Sequence, residues 1–480
     1  MSLADLSKAC PSYFPLSRVI TSFAISHPGR GREIRRGQLR CSQNRPRRPK
    51  SAKTGTLSLP EAPRHRAAIC YVEEVSFVTE FDSLPLAALA QKSRAAGTAA
   101  VRESLGKSKP SLADFANLIS PAAAEFLEPM GRRSQAMTQQ RFGKVIRMFA
   151  PLYLSNECIN NCAYCGFSRD NPILRVTLSL DEVRQEAQAL KQQGFRNLLL
   201  VAGEHPKFVS NRYLRDCIAA LHPEWPSVSL EVAPMETEDY RPLVAAGADG
   251  LVVYQESYDR KVYAEMHTAG PKRNFNWRLE TPERAYAAGF RRLGISPLYG
   301  LADWRYEALC AAAHADYLLR NCWKAALTIS TVRIRPCAGE FQPLTQIADR
   351  ELAQLVCALR IMFPDVGLVL STRESPKLRD GLARLGITLM SAGSHTEPGG
   401  YTGAGREKLH QTVRGRIVAA GSSEWAGAAA GNPPTDSRHA TNATGQFQIA
   451  DERSSQEVAE LIRKLGYEPV WKDWDAALTA

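Results

Sequence analysis

The stretch LKQQGFRNLLLVAGEH, residues 190–205, closes one element and opens another. Leu190 ends an apolar helical pattern, Gly194 is the residue suited to the left-handed conformation that closes a last turn, and NLLLVAG (197–203) is an unbroken apolar run. A strand that is apolar throughout is buried on both faces, as in a parallel sheet covered by helices. The same phrase returns as LVAAGADGLVVYQES (243–257), AYAAGFRRLGISPLYG (285–300) and GLARLGITLMSAGS (381–394), around Gly247, Gly289 and Gly386.

Helix starts agree with these stops. Ser179 with Glu182 makes a capping box, and Val183, Ala187 and Leu190 then share one face. Thr281-Pro282-Glu283 supplies a cap, a first-turn proline and a first-turn acid. The strand candidates are FAPLYLSN (149–156), NLLLVAG (197–203), VSLEVAP (228–234), GLVVYQES (250–257), RLGISPL (292–298), TISTVRIR (328–335), GLVLSTRE (367–374) and ITLMSAG (387–393). Eight βα units over residues 149–402 predict an α/β fold, a parallel (β/α)8 TIM-type barrel with its chemistry at the C-terminal strand ends. A doubly wound open sheet is the alternative that a strand count leaves standing.

Outward from the barrel, Ala- and Leu-rich stretches at 84–107, 111–120 and 121–143 form a helical N-terminal segment over 71–148. Residues 403–450 are rich in Gly, Ala and Ser and read as a mobile low-complexity insertion; residues 451–480 supply a C-terminal helix, SSQEVAELIRKLG, and an aromatic tail. Residues 1–70 read as a basic disordered leader, since residues 1–60 hold twelve Lys/Arg against two acids and so carry ten of the chain's twelve net positive charges. An organelle transit peptide, a start codon placed too far upstream and a basic tail for an acidic partner all remain open for it. The rest is close to neutral, which argues against a nucleic-acid partner. No run of eighteen apolar residues predicts a membrane span. Eleven irregularly spaced cysteines in 480 residues do not form a secreted disulfide framework, so a reducing cytoplasm is expected, with organelle import the lesser alternative.

Just past the first strand, NECINNCAYCGF (156–167) spaces Cys158, Cys162 and Cys165 as C-x3-C-x2-C on a loop at the catalytic end. Three thiolates without a matching fourth suit an iron–sulfur cube with one iron left open to a substrate ligand. Zinc completed by a distant Cys or His, or three unrelated core cysteines, are the other readings.

With an aromatic, Tyr164, before the third cysteine, the motif resembles that of the radical S-adenosylmethionine superfamily. The resemblance implies a [4Fe–4S] cluster on the three thiolates, S-adenosylmethionine chelated by the open iron, and a 5′-deoxyadenosyl radical after one-electron cleavage. It places Gly203 and Glu204, at the end of the second strand, against the methionine ammonium, where a small residue allows close approach and a carboxylate suits a cation. Arg278 in NWRLETPER is the candidate for the methionine carboxylate, with a solvated charge beside a helix cap as its plain alternative. Glu256, ending the fourth strand, faces the pocket in this reading as a candidate for the nucleoside or the substrate ammonium, and His267 is structural.

The motifs PLYLSNECINNCAYCGFS, LLLVAGEH, VVYQESY, WRLETPER, RIRPCAGE, LSTRESP, PGGY and PVWKDWD, in that order over residues 72–480, resemble more narrowly the 2-iminoacetate synthases, the tyrosine lyases of bacterial thiamine synthesis. That family cleaves the Cα–Cβ bond of L-tyrosine to 2-iminoacetate (dehydroglycine) and p-cresol, so a cation is needed for the substrate carboxylate. Arg333 and Arg335 alternate in TVRIRPC and are expected to share an inward face; Arg333, with Ser371 and Arg373 of LSTRE, is the expected substrate contact, and salt-bridging of Arg333 or Arg373 to neighbours such as Glu374 is the alternative. Cys337 reads as a loop thiol. The resemblance implies two protein partners, a thiazole synthase and a flavodoxin or ferredoxin electron donor. A hydrogenase-maturation tyrosine lyase, a tryptophan lyase and a biotin synthase-like enzyme share the barrel; the first carries a second, C-terminal cluster, whereas here no cysteine follows Cys357.

Overall fold

Every glycine that the recurring phrase places after a helix has positive φ: Gly194 +103°, Gly247 +115°, Gly289 +116° and Gly386 +131°. At Gly247 a Cβ would also lie 2.4 Å from the His222 ring, so the turn requires glycine twice over. Ser179 and Glu182 exchange both bonds of a capping box, and the helix they start runs Leu180–Gln192. These local signals cut the chain into the units that the computed structural model describes over residues 76–413, 416–419 and 442–471.

Eight parallel strands form the core: β1 (Val145–Ser155), β2 (Asn197–Ala202), β3 (Ser227–Glu231), β4 (Gly250–Glu256), β5 (Arg292–Tyr299), β6 (Ala326–Ser330), β7 (Gly367–Leu370) and β8 (Leu389–Ser391). They pair in chain order, and β8 returns to β1 through Leu389↔Arg147, Met390↔Met148 and Ser391↔Phe149, which closes the barrel and excludes the open sheet. The helices after the strands are α1 (Leu180–Gln192), α2 (Asn211–Leu221), α3 (Thr237–Ala245), α4 (Thr281–Ala288), α5 (Trp304–Asn321), α6 (Asp349–Met362), α7 (Pro376–Leu382) and α8 (Ser455–Lys464). Among the described residues no helix is long and apolar enough to cross a membrane.

Several boundaries differ from the sequence reading. β1 begins at Val145 rather than Phe149, because the tail residues Glu468–Val470 run parallel beside Val145–Arg147 and extend the pairing downward. Trp471 then caps this end with its ring edge-on to Phe195, 5.2 Å between centroids. The lead-in at 84–107 is two helices, Leu86–Ala95 and Thr98–Gly106, broken at Ala96-Gly97. Of the insertion read as mobile, residues 403–413, 416–419 and 442–450 are described and pack on the barrel: His410–Val413 and Arg416–Ala419 form a hairpin, Arg175 exchanges backbone bonds with His410, and Thr444 bonds Leu174. The leader lies outside the described residues.

One buried pair holds the returning C-terminal segment. Arg379 of α7 and Asp451 are both fully buried and ion-paired, and Arg453 adds a second contact to Asp451 at 2.7 Å. Removing one partner leaves an uncompensated buried charge. Asp451→Ala is therefore expected to cost about 3–5 kcal/mol, read as a lowered urea midpoint, whereas Arg379→Met with Asp451→Leu loses much less.

Candidate active site at the C-terminal mouth of the barrel

The thiol loop leaves β1 at Ser155 with few regular backbone bonds, so side chains hold its shape. Buried Arg175 donates to the carbonyls of Asn156 (2.6 Å), Phe167 (3.2 Å) and Ser168 (2.8 Å). The Asn171 amide donates to the carbonyls of Cys165, Gly166 and Ala338, and Ser168 Oγ accepts from the Cys162 amide at 3.1 Å. Asn161–Cys162 pairs antiparallel with the short strand His267–Ala269.

Asn160 is the junction. Its Nδ2 donates to Glu204 Oε2 at 2.6 Å and lies 3.7 Å from Cys158 Sγ, while its Oδ1 accepts from the Lys272 amide at 2.9 Å. A Cβ on Gly270 would sit 2.2 Å from that Oδ1, and one on Gly203 would sit 2.2 Å from the Glu157 carbonyl and 3.2 Å from Cys158 Cβ. Gly203 and Glu204, expected against a bound methionine, thus also seat the loop on the end of β2.

The three thiols have different neighbours, Cys158 beside Gly203, Cys165 beside the Gln446 amide (3.9 Å) and buried Cys162 within the field of Lys272, and they act on one another as well. Burial pushes both Cys162 and Cys165 up, the latter to about 11, and Lys272 pulls each back. Free thiols there stay protonated at neutral pH, so a bound metal must displace the protons. No group of three or more His, Cys, Asp or Glu side chains among the described residues converges on one ion position. The donor set and the adjacent cation fit an iron–sulfur cluster held by Cys158, Cys162 and Cys165.

Glu256 ends β4 at a bulge, with φ +71°. A non-glycine residue in that region carries about 1–3 kcal/mol of strain. The bulge aims its carboxylate at Lys272 Nζ, 2.6 Å away, and Arg278 Nη2, 3.5 Å away, all three side chains being nearly buried. Arg278 also donates Nε–H to the Tyr254 carbonyl at 2.6 Å. Lys272, which sequence reasoning missed, brings a second cation to the Glu256 carboxylate and acts on Cys162 and Cys165. The Tyr164 hydroxyl meets His267 Nε2 at 2.7 Å, and its ring lies 5.6 Å from Lys272 Nζ. His267 Nδ1–H donates to the Tyr263 carbonyl, so Nε2 accepts from Tyr164, and burial, then Lys272, press its pKa down to about 3.

Across the mouth, the expectation for Arg333 is revised. β6 ends at Ser330, and the chain resumes as Val332–Arg333 against β5 after a break at Thr331, so strand alternation does not carry through. Val332 and Ile334 pack with Tyr164 and Cys162, whereas Arg333 is ion-paired to Glu374 and Asp349 and bonds the Ile347 carbonyl. Its charge is met within the protein, as the salt-bridge alternative foresaw. Arg335 does not join it: its Nε is buried without a partner among the described residues.

Ser371 and Arg373 lie in the turn after β7, with Ser371 Oγ accepting from the Arg373 amide at 3.3 Å. The Arg373 guanidinium stacks 3.4 Å from the Phe447 ring centroid, donates to the Arg333 carbonyl at 3.4 Å, and has no carboxylate partner among the described residues. Phe447 and Gln446 arrive from the supposed insertion: Gln446 accepts from Tyr153 Oη at 2.8 Å and its carbonyl accepts from the Gly166 amide at 3.0 Å. An aromatic directly after a long polar stretch was the one available signal for them. Cys337 bonds the Tyr164 carbonyl at 3.3 Å and acts as a loop thiol. Glu231, at the end of β3, also belongs to the mouth: burial pushes its carboxyl up to about 7, against the pull of Arg373.

A closed parallel barrel with an open three-thiol loop at its mouth defines the radical S-adenosylmethionine class. Residues 152–312 match the family model of the radical SAM superfamily, and residues 330–468 match the biotin and thiamin synthesis associated domain. The 2-iminoacetate synthases of Salmonella typhimurium and Escherichia coli K12 are each 38% identical over 379 residues, 79% of this chain and 91% of theirs. A crystal structure of HydG, a maturase of the [FeFe]-hydrogenase, superposes with a TM-score of 0.71 at 28% identity, covering 82% of this chain and 81% of its own. The chain belongs to the 2-iminoacetate synthase family of radical S-adenosylmethionine lyases, with a [4Fe–4S] cluster and S-adenosylmethionine as cofactors.

Two substitutions test this site. Cys162→Ala is expected to abolish the four-iron chromophore after anaerobic reconstitution. Lys272→Met is expected to keep its iron but shift the cluster potential negative in an EPR-monitored titration, because a cation no longer favours the added electron; an unchanged potential would contradict its placement.

Proposed function

We propose that the enzyme cleaves the Cα–Cβ bond of L-tyrosine to 2-iminoacetate (dehydroglycine) and p-cresol, providing the nitrogen-bearing fragment of the thiamine thiazole. Family membership supports the reaction type, and one observation carries the substrate class: at the mouth, Arg373 is a guanidinium free of any described carboxylate, beside the Ser371 hydroxyl. A planar fork with an adjacent hydroxyl suits an α-carboxylate.

Bound at the three thiols, the cluster and S-adenosylmethionine supply a hydrogen-abstracting carbon radical by one-electron cleavage. The chain's own residues bind and orient. Arg373 takes the substrate carboxylate, its plane fixed by Phe447, and Ser371 adds a donor. In this reading Glu204 takes the ammonium and Arg278 the carboxylate of the cofactor's methionine, and Lys272 pairs with Glu256 beside them. The Gln446–Phe447 strap, tied to Tyr153 and Gly166, covers the loop and excludes water from reactive carbon.

Dehydroglycine is a hydrolysable imine, so a thiazole synthase that consumes it promptly is the proposed partner, with flavodoxin or ferredoxin as electron donor. A reducing cytoplasm suits the eight free cysteines among the described residues. The hydrogenase-maturation reading shares the first cleavage and differs in needing a second cluster, for which residues 358–480 hold no cysteine.

The reconstituted protein given L-tyrosine, S-adenosylmethionine and a strong reductant should release p-cresol and 5′-deoxyadenosine together. Deoxyadenosine without p-cresol would refute the substrate. Arg373→Met should raise KM for tyrosine about tenfold to a hundredfold, the scale of a lost charge-assisted bond.

A further inference from the structure

Most acids around the mouth have a donor. Glu157 holds His410, Glu204 holds Asn160, Glu256 holds Lys272, Glu374 holds Arg333, and Glu397 holds His395. Glu231 is different. It is the last residue of β3, paired to Val201 of β2 through the backbone, and its carboxylate has neither a hydrogen-bond donor nor an ion-pair partner among the described residues. The side chain keeps part of its surface accessible, as a group lining an opening must, yet it is enclosed enough for burial to push the carboxyl up to about 7. A carboxyl held this way without a partner is costly unless something else supplies one.

The charges that act on it most are Arg373, Glu256, Arg278 and Lys272, with Arg373 first and no thiol among them. Tyr153 feels both Glu231 and Arg373. Glu231 and Arg373 nevertheless do not pair, their charged atoms lying more than 4.0 Å apart. Two opposite, mutually unpaired charges at the C-terminal strand ends of one barrel match the two ends of a zwitterion.

The geometry points to Glu231 as the group that holds the ammonium of an α-amino-acid substrate whose carboxylate rests on Arg373, the pair forming a clamp for the zwitterion. This rests on the amino-acid reading above and adds a specificity determinant to it. The arriving ammonium would restore the ionised carboxylate, and the bound amine would be oriented before the chemical step. A ligand lacking the amine would leave Glu231 unpaired and bind less well.

The test compares two ligands on the anaerobically reconstituted holoenzyme by equilibrium dialysis: L-tyrosine and 3-(4-hydroxyphenyl)propionate, which lacks only the amine. Glu231→Gln should weaken tyrosine binding about tenfold to a hundredfold while leaving the amine-free analogue unchanged. Glu231→Asp, which keeps the charge, should retain most of the preference, and it stands in should the Gln variant lose iron. Equal loss for both ligands would show a merely structural role, and no loss for tyrosine would refute the clamp. If wild type releases no p-cresol, the tyrosine reading fails on its own; the same comparison with whichever L-amino acid binds, against its deaminated analogue, still decides the clamp.

Discussion

A loop that carries three thiols into a barrel mouth cannot satisfy its own backbone, and the site depends on how that deficit is met. Buried carbonyls and amides need partners, and here Arg175, Asn156, Asn160, Ser168 and Asn171 supply them. Asn160 matters most, since one amide joins the end of β2, a cluster thiol and the turn bearing Lys272. Substitution there would loosen three elements together rather than one contact.

Charge is distributed over that frame in two groups. Beside the thiols, Lys272 and Arg278 share Glu256, and Lys272 favours the anionic form of whatever the thiolates bind. Elsewhere around the mouth, Arg333 is neutralised by Glu374 and Asp349, while Arg373 after β7 and Glu231 at the end of β3 are left unpaired among the described residues. The mouth thus holds charges committed to structure beside charges available to ligands. The C-terminal segment completes the second group, because Phe447 fixes the plane of Arg373 and Gln446 reaches back to the loop.

Much of this was legible before any coordinates. Gly194, Gly247, Gly289 and Gly386 and the capping box at Ser179 cut the chain correctly, since backbone conformation at a helix end is a local matter. The cysteine spacing was legible for the same reason, three ligands lying within one short loop. Arg333 was misread because alternation was extended through Thr331, where the strand has already ended and the pattern no longer sets direction.

The linear chain by itself determined the βα repeat, the barrel class and the thiol loop, all of which depend on residues close together along it. Only the tertiary structure decided which charges are paired. Whether Arg373 or Arg333 stays free, whether Glu231 meets a cation, and whether a polar stretch after Thr444 becomes a strap all depend on contacts between segments tens to hundreds of residues apart. Local propensity is silent about such encounters, because closing the barrel creates the low-dielectric space in which each charge must find a partner or await one.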